Sequence, residues 1–120
     1  MATTTFGVAT ASTANAATYA AASFTPAVGD LIVVFAVASG TVSAGACTST
    51  GSGATAFTLI TSGTQAAGNT MYCFVSTTLV TVADAHVVTL DVTGDNGTGA
   101  VVTCFTVAGM TKLGAAAVQQ

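Results

Sequence analysis

The apolar positions of this chain fall into short runs separated by Gly, Ser, Thr and Asn, and none keeps a helical spacing for long. LIVVFAVAS, Leu31 to Ser39, carries no polar side chain on either face before its last residue, the pattern of a central strand buried on both sides. AVVTCFTVAG, Ala100 to Gly109, is again apolar on both faces. HVVTLDVT behaves differently: Val88, Leu90 and Val92 point one way and Thr89, Asp91 and Thr93 the other. One of its faces is therefore core, and the other is wet or covered by a partner. TTTFGVAT (Thr3 to Thr10) predicts a first strand and TYAAASF (Thr18 to Phe24) a second. A short Ala-rich helix over Ala11 to Ala22 is the alternative, interrupted by Thr13, Thr18 and Tyr19.

The punctuation completes the reading. Pro26 and Gly29 precede Asp30, whose short carboxylate is suited to bond nearby backbone N–H groups and turn the chain into the Leu31 strand. Ser39 to Ala56 is a long loop or a pair of weak edge strands. AFTLIT (Ala56 to Thr61) and TMYCFVSTTLV (Thr70 to Val80) predict a hairpin around SGTQAAGN. Gly94-Asp95-Asn96-Gly97 is the strongest tight-turn signal and predicts a second hairpin over residues 87 to 108. The closing AAAVQQ reads as the start of another strand, pairing with this chain, a neighbour or a continuation. Together these features predict an all-β, antiparallel β-sandwich of jelly-roll-like type. It forms one domain over 1–120, with 1–18 as an N-terminal arm and 110–120 as an exchanged or truncated strand.

Composition adds what the pattern cannot. Only Asp30, Asp84, Asp91, Asp95 and Lys112 carry charge among 120 residues, where a typical domain of this length has about 30 such side chains. Four of them fall at turns or strand ends, and Asp91 alone lies mid-strand, so the predicted strand faces are almost wholly neutral. Neutral faces rich in Thr, Ser, Ala and Gly cost little to desolvate when another subunit covers them. A net charge of −3 with one lysine and no arginine leaves little to neutralise phosphates, which predicts no nucleic-acid partner. Hydrophobic content is 52%, yet no apolar run reaches the roughly 20 residues of a spanning helix, so no membrane partner is expected. Met1 to Thr5 lacks the basic and apolar regions of a secretory signal, which predicts synthesis in a cytoplasm.

Candidate chemistry is thin. Asp84 and His86 are two residues apart and share a face if a strand runs through them; Ser43 or another hydroxyl would complete a nominal triad. With no G-x-S-x-G elbow, the reading is a loop histidine, solvated or bonded to backbone, and not an enzyme. Asp91, Asp95 and Asn96 offer oxygens to calcium in an order that does not match the D-x-[DN]-x-[DN]-G loop, so they read as turn and strand-solubility residues, with no metal and no cofactor. An isopeptide bond from Lys112 to Asn69 or Asn96 needs an apolar setting that Thr111, Leu113 and Gly114 do not establish. Cys47, Cys73 and Cys104 lack zinc or redox spacing and read as free buried thiols; a Cys73–Cys104 disulfide requires their strands to be neighbours. The aromatics are dispersed at strand positions, most of them expected in the core, and with no Trp there is no sugar-stacking platform.

The succession VGDLIVVF (Val28 to Phe35), a Gly/Ser/Thr-rich segment, AFTLI, GNTMYCFV (Gly68 to Val75), HVVTLDVTG and VVTCFTVAGM (Val101 to Met110) resembles the β-sandwich domains of structural proteins from tailed bacteriophages. It covers roughly residues 20 to 115. The resemblance implies a non-enzymatic virion component, most simply a capsid decoration or cement protein assembled in many copies. Its implied partners are other copies of itself and other virion proteins such as a major capsid protein. A tail or fibre component, or an extracellular filament or adhesin-like binding module, is the alternative.

Overall fold

The structure, a computed structural model, describes residues 2–40, 45–65, 68–92 and 99–118. Eight strands follow one another among them: β1 Thr3–Ser12, β2 Thr18–Ala20, β3 Leu31–Ser39, β4 Ala46–Ser49, β5 Phe57–Thr64, β6 Asn69–Ser76, β7 Val88–Asp91 and β8 Ala100–Ala108. They form two antiparallel sheets, a five-stranded one in the order β1-β8-β3-β6-β5 and a three-stranded one in the order β2-β7-β4. The chain is thus an all-β sandwich, with dimensions of 38 × 31 × 20 Å.

The core lies between the sheets and follows from strand register. Val8, Cys104, Val34 and Phe74 stand side by side across four strands of the large sheet, all pointing inward. From the small sheet, Val88, Leu90 and Val92 meet them with no exposed surface, and Tyr19 and Cys47 flank Leu90. Each fully buried aliphatic or aromatic side chain of this set contributes about 1.5–3 kcal/mol through removal from water. Buried polar groups are tied down. The Ser76 hydroxyl accepts a bond from the Ile32 amide at 3.1 Å, and the Tyr19 hydroxyl donates to the Ala14 carbonyl at 2.9 Å. Asp30 Oδ2 accepts from the Ala27 amide at 3.0 Å, closing the turn into β3 as its carboxylate suggests.

The β5–β6 hairpin forms in the expected order, with β5 running on to Thr64 before the turn. Four expectations are corrected. The hairpin over residues 87 to 108 does not form, because β7 joins the small sheet and β8 the large one. A tight-turn signal such as Asn-Gly reports local backbone geometry, not the sheet that the outgoing strand enters; the turn Gly94 to Gly97 itself lies outside the described residues. The closing strand is instead a 3-10 helix, Gly114–Ala117, packed against β5 and β6, because three alanines lack the β-branching that favours a strand. The N-terminal segment is no free arm: Thr3–Ser12 is an edge strand paired with β8 along its whole length, around a bulge at Gly7. Finally β3, though central, is buried on one face only over its second half, where Phe35 is 50% and Val37 40% exposed.

Candidate functional site

Sheet register places the outward side chains at the middle of the large sheet in rows running across the strands. One row is Phe6, Phe105, Val33, Val75 and Thr58. The next is Ala9, Thr103, Phe35, Cys73 and Thr61. The third is Ala11, Val101, Val37, Met71 and Gly63. None of these fifteen positions is charged, and threonine is the most polar residue among them. The 3-10 helix closes one corner: Gly114 lies beside Thr58 and Thr77, and Val75 is buried. The rest is open, with Phe6 60%, Met71 44% and Val101 42% exposed.

The opposite outer surface differs in kind. On the small sheet the outward rows are Thr18, Asp91 and Ala46, then Ala20, Thr89 and Thr48. The alternation read in HVVTLDVT therefore resolves as a buried face and a polar one that carries Asp91. A sandwich ordinarily keeps polar side chains on both outer faces; here the small sheet presents a charge at Asp91, while the three rows of the large sheet have only Thr58, Thr61 and Thr103 as polar side chains.

Aromatic rings give the apolar face its relief. Phe105 meets Phe6 edge-on at 5.8 Å between ring centroids and Phe35 edge-on at 6.0 Å, the arrangement that the ring quadrupole favours. Two open hollows flank the protruding Phe35. One, of about 290 Å³, lies toward Val33, Phe105 and Val107; the other, of about 320 Å³, lies toward Thr61, Gly63, Met71 and Cys73. Most aromatics are in or against the core, as expected, namely Tyr19, Phe24, Phe57, Tyr72 and Phe74, whereas Phe6, Phe35 and part of Phe105 stand on this face.

Asp84 and His86 do come together, with Ser49 and Ser52; Ser43 lies outside the described residues. His86 Nδ1 is 3.1 Å from Ser49 Oγ, and His86 Nε2 is 3.3 Å from Asp84 Oδ1. That nitrogen has no hydrogen bond of good geometry, so its contact with the carboxylate is electrostatic. Asp84 accepts from the Ser52 hydroxyl at 2.6 Å and from the Ser52 amide at 3.1 Å. The Ser52 hydroxyl first, then its amide, hold the Asp84 carboxyl below the usual carboxylate range.

The order hydroxyl, imidazole, carboxylate is that of a hydrolase triad, but the setting is not. The Ser49 hydroxyl donates to the Thr50 carbonyl at 2.8 Å, so its hydrogen is already engaged. The ring is fully buried and bonds the Ser49 side chain, where a solvated or backbone-bonded histidine was expected, and the His86 backbone pairs with that of Phe24. Gly51 lies so close over it that a Cβ there would sit 2.5 Å from Nε2. Among the described residues the cluster clamps the loop after β4 to the segment before β7.

The remaining candidates separate. Cys73 points to the outer face and Cys104 into the core, and β3 runs between their strands, so the disulfide is excluded and all three thiols are free. Burial pushes the Cys47 and Cys104 thiols up to about 12. Lys112 is exposed, and Asp95 and Asn96 lie outside the described residues. Among the described residues no helix is long and apolar enough to cross a membrane. No family model, no curated protein and no solved structure matches the chain.

Proposed function

We propose that the chain is a non-enzymatic structural subunit of a virion, most simply a capsid decoration or cement protein present in many copies. The observation that carries this reading is the outer face of the five-stranded sheet, uncharged and largely apolar in three successive rows, most of which the described residues leave open. A contiguous exposed apolar surface of this kind marks a site of association. A protein packed at high local density also gains from faces without self-repulsion, which suits a chain with five charged side chains.

Strand order supports the jelly-roll reading. The sequence β1-β8-β3-β6 facing β2-β7-β4, with β5 bridged to β4 between Thr48 and Ala56, is what two interleaved Greek keys produce. Jelly rolls are frequent in capsid proteins, which favours the virion by analogy of fold alone. The partners on this reading are further copies of the chain and a major capsid protein, and the location is the particle. Mass spectrometry of purified particles from an infected or induced culture of the source tests it. The chain is expected at a copy number comparable with that of the capsid protein; particles that lack it contradict the proposal.

A further inference from the structure

We propose that the outer face of the five-stranded sheet seats a second copy of this chain, packed face to face about a two-fold axis, with Phe35 of each copy entering a hollow beside Phe35 of the other. The inference rests on reading the chain as an assembly subunit, and it names what covers the open face.

A two-fold contact requires one patch to carry both a projection and its complement, since residue i of one copy meets residue j of the other and the reverse. This face meets that condition. Phe35, half exposed at mid-sheet, is the projection, and the hollows of about 290 and 320 Å³ lie on either side of it. Small residues provide further room, Ala9 and Ala11 on β1 and Gly63 on β5.

Area and charge agree. Five strands about 4.8 Å apart, with same-face rows about 7 Å apart, give an open plan on the order of 500 Å² per copy. Two such faces bury on the order of 1,000 Å² in total, at the low end of the range for a specific pair. No charge lies in the three rows, so identical faces meet without like-charge repulsion and without desolvating an ion. A partner bearing the usual charged surface would lose solvation here and gain no counter-charge.

The test is sedimentation equilibrium of the purified full chain from low to tens of micromolar, with the double variant Phe35→Thr, Val37→Thr and the control Thr89→Ser. Threonine keeps β-propensity, and far-ultraviolet circular dichroism checks that both variants fold. The wild type and Thr89→Ser are expected at twice the chain mass, and the double variant at one. Cys73, which stands beside Phe35 in the same row, provides a second readout. Its labelling by N-ethylmaleimide is expected to slow about fivefold when the total chain is at ten times its dissociation constant, and to stay fast in the double variant. A wild type that remains monomeric overturns the inference, whether or not it floats with neutral phosphatidylcholine vesicles. So does a dimer that persists in the double variant with Cys73 labelling unchanged. A dimer from a chain missing from particles would keep this inference and overturn the virion reading; a monomer found in particles would do the opposite.

Discussion

Phe35 of β3 and Phe105 of β8 meet edge to face with ring centroids 6.0 Å apart, yet half of Phe35 remains in contact with water. Phe74, one strand away on β6, is its opposite: it points inward, stacks on Tyr72 at 5.8 Å and is 1% exposed. Two phenylalanines on neighbouring strands thus do different work, one holding the sandwich together and the other facing outward.

Their separation is measurable by urea denaturation of the dilute chain. Phe74→Ala is expected to cost about 3–5 kcal/mol, the loss for a large core side chain. Phe35→Thr is expected to cost under about 1 kcal/mol, because its ring is only partly withdrawn from water and the replacement favours a strand. Equal losses at the two positions would show that the outer face is covered within the single chain.

Acid should weaken the loop clamp. A carboxyl held below its ordinary value stabilises the fold above its unfolded pKa of about 3.9, and that contribution is lost as pH falls through the lower folded value. Ser52→Ala removes the hydroxyl that is the first cause of the depression at Asp84. The Asp84 carboxyl carbon, followed by NMR, is expected to titrate closer to the ordinary value in this variant. An unchanged titration would assign the depression to His86 or the backbone.

Alkali should destabilise the fold through the buried thiols. Cys47 and Cys104, pushed up to about 12, stay protonated in the folded chain, while the unfolded chain releases those protons above about 8.5. Their stabilisation is complete below that lower value and is lost as pH rises toward the upper one, by up to about 1.4 kcal/mol per pH unit for each thiol. Urea midpoints measured between these limits are expected to fall, and Cys104→Ala to flatten the slope. A midpoint that stays level across the interval would contradict the burial of both thiols.

Gly51 should not accept a side chain. Its φ of +101° lies in the region that favours glycine, and a Cβ there would press on the His86 ring. Gly51→Ala is expected to lower stability by more than about 1 kcal/mol, read as a drop in Tm. Gly63→Ala provides the comparison, since that position has open space for a Cβ and no positive φ. Equal effects would remove the clamp from the account.

The sandwich was legible in the chain because strand identity is written locally: Leu31 to Ser39, Ala100 to Gly109 and the alternation over residues 87 to 92 each declare a strand through side-chain period. Sheet membership was not. Val88–Asp91 and Ala100–Ala108 are joined by a turn sequence equally compatible with a hairpin and with a crossing between sheets. Asp84 and His86 were visible as a pair, but Ser49 and Ser52 reach them through a bridge that no sequence spacing marks. The apolar face was half legible. Doubly apolar strands called for cover on both sides, and the described chain supplies one layer.

The most direct measurement is hydroxyl-radical footprinting of the full chain in its dissociated and assembled states, read by mass spectrometry at Phe6, Phe35 and Met71. The account predicts that all three oxidise readily when dissociated and are protected on assembly, while reactivity on the small sheet, at Thr18 and Thr89, is unchanged. Protection confined to the small sheet, or none at Phe35 in an assembly shown to have formed, would contradict the claim that the open apolar face is the surface through which this chain associates.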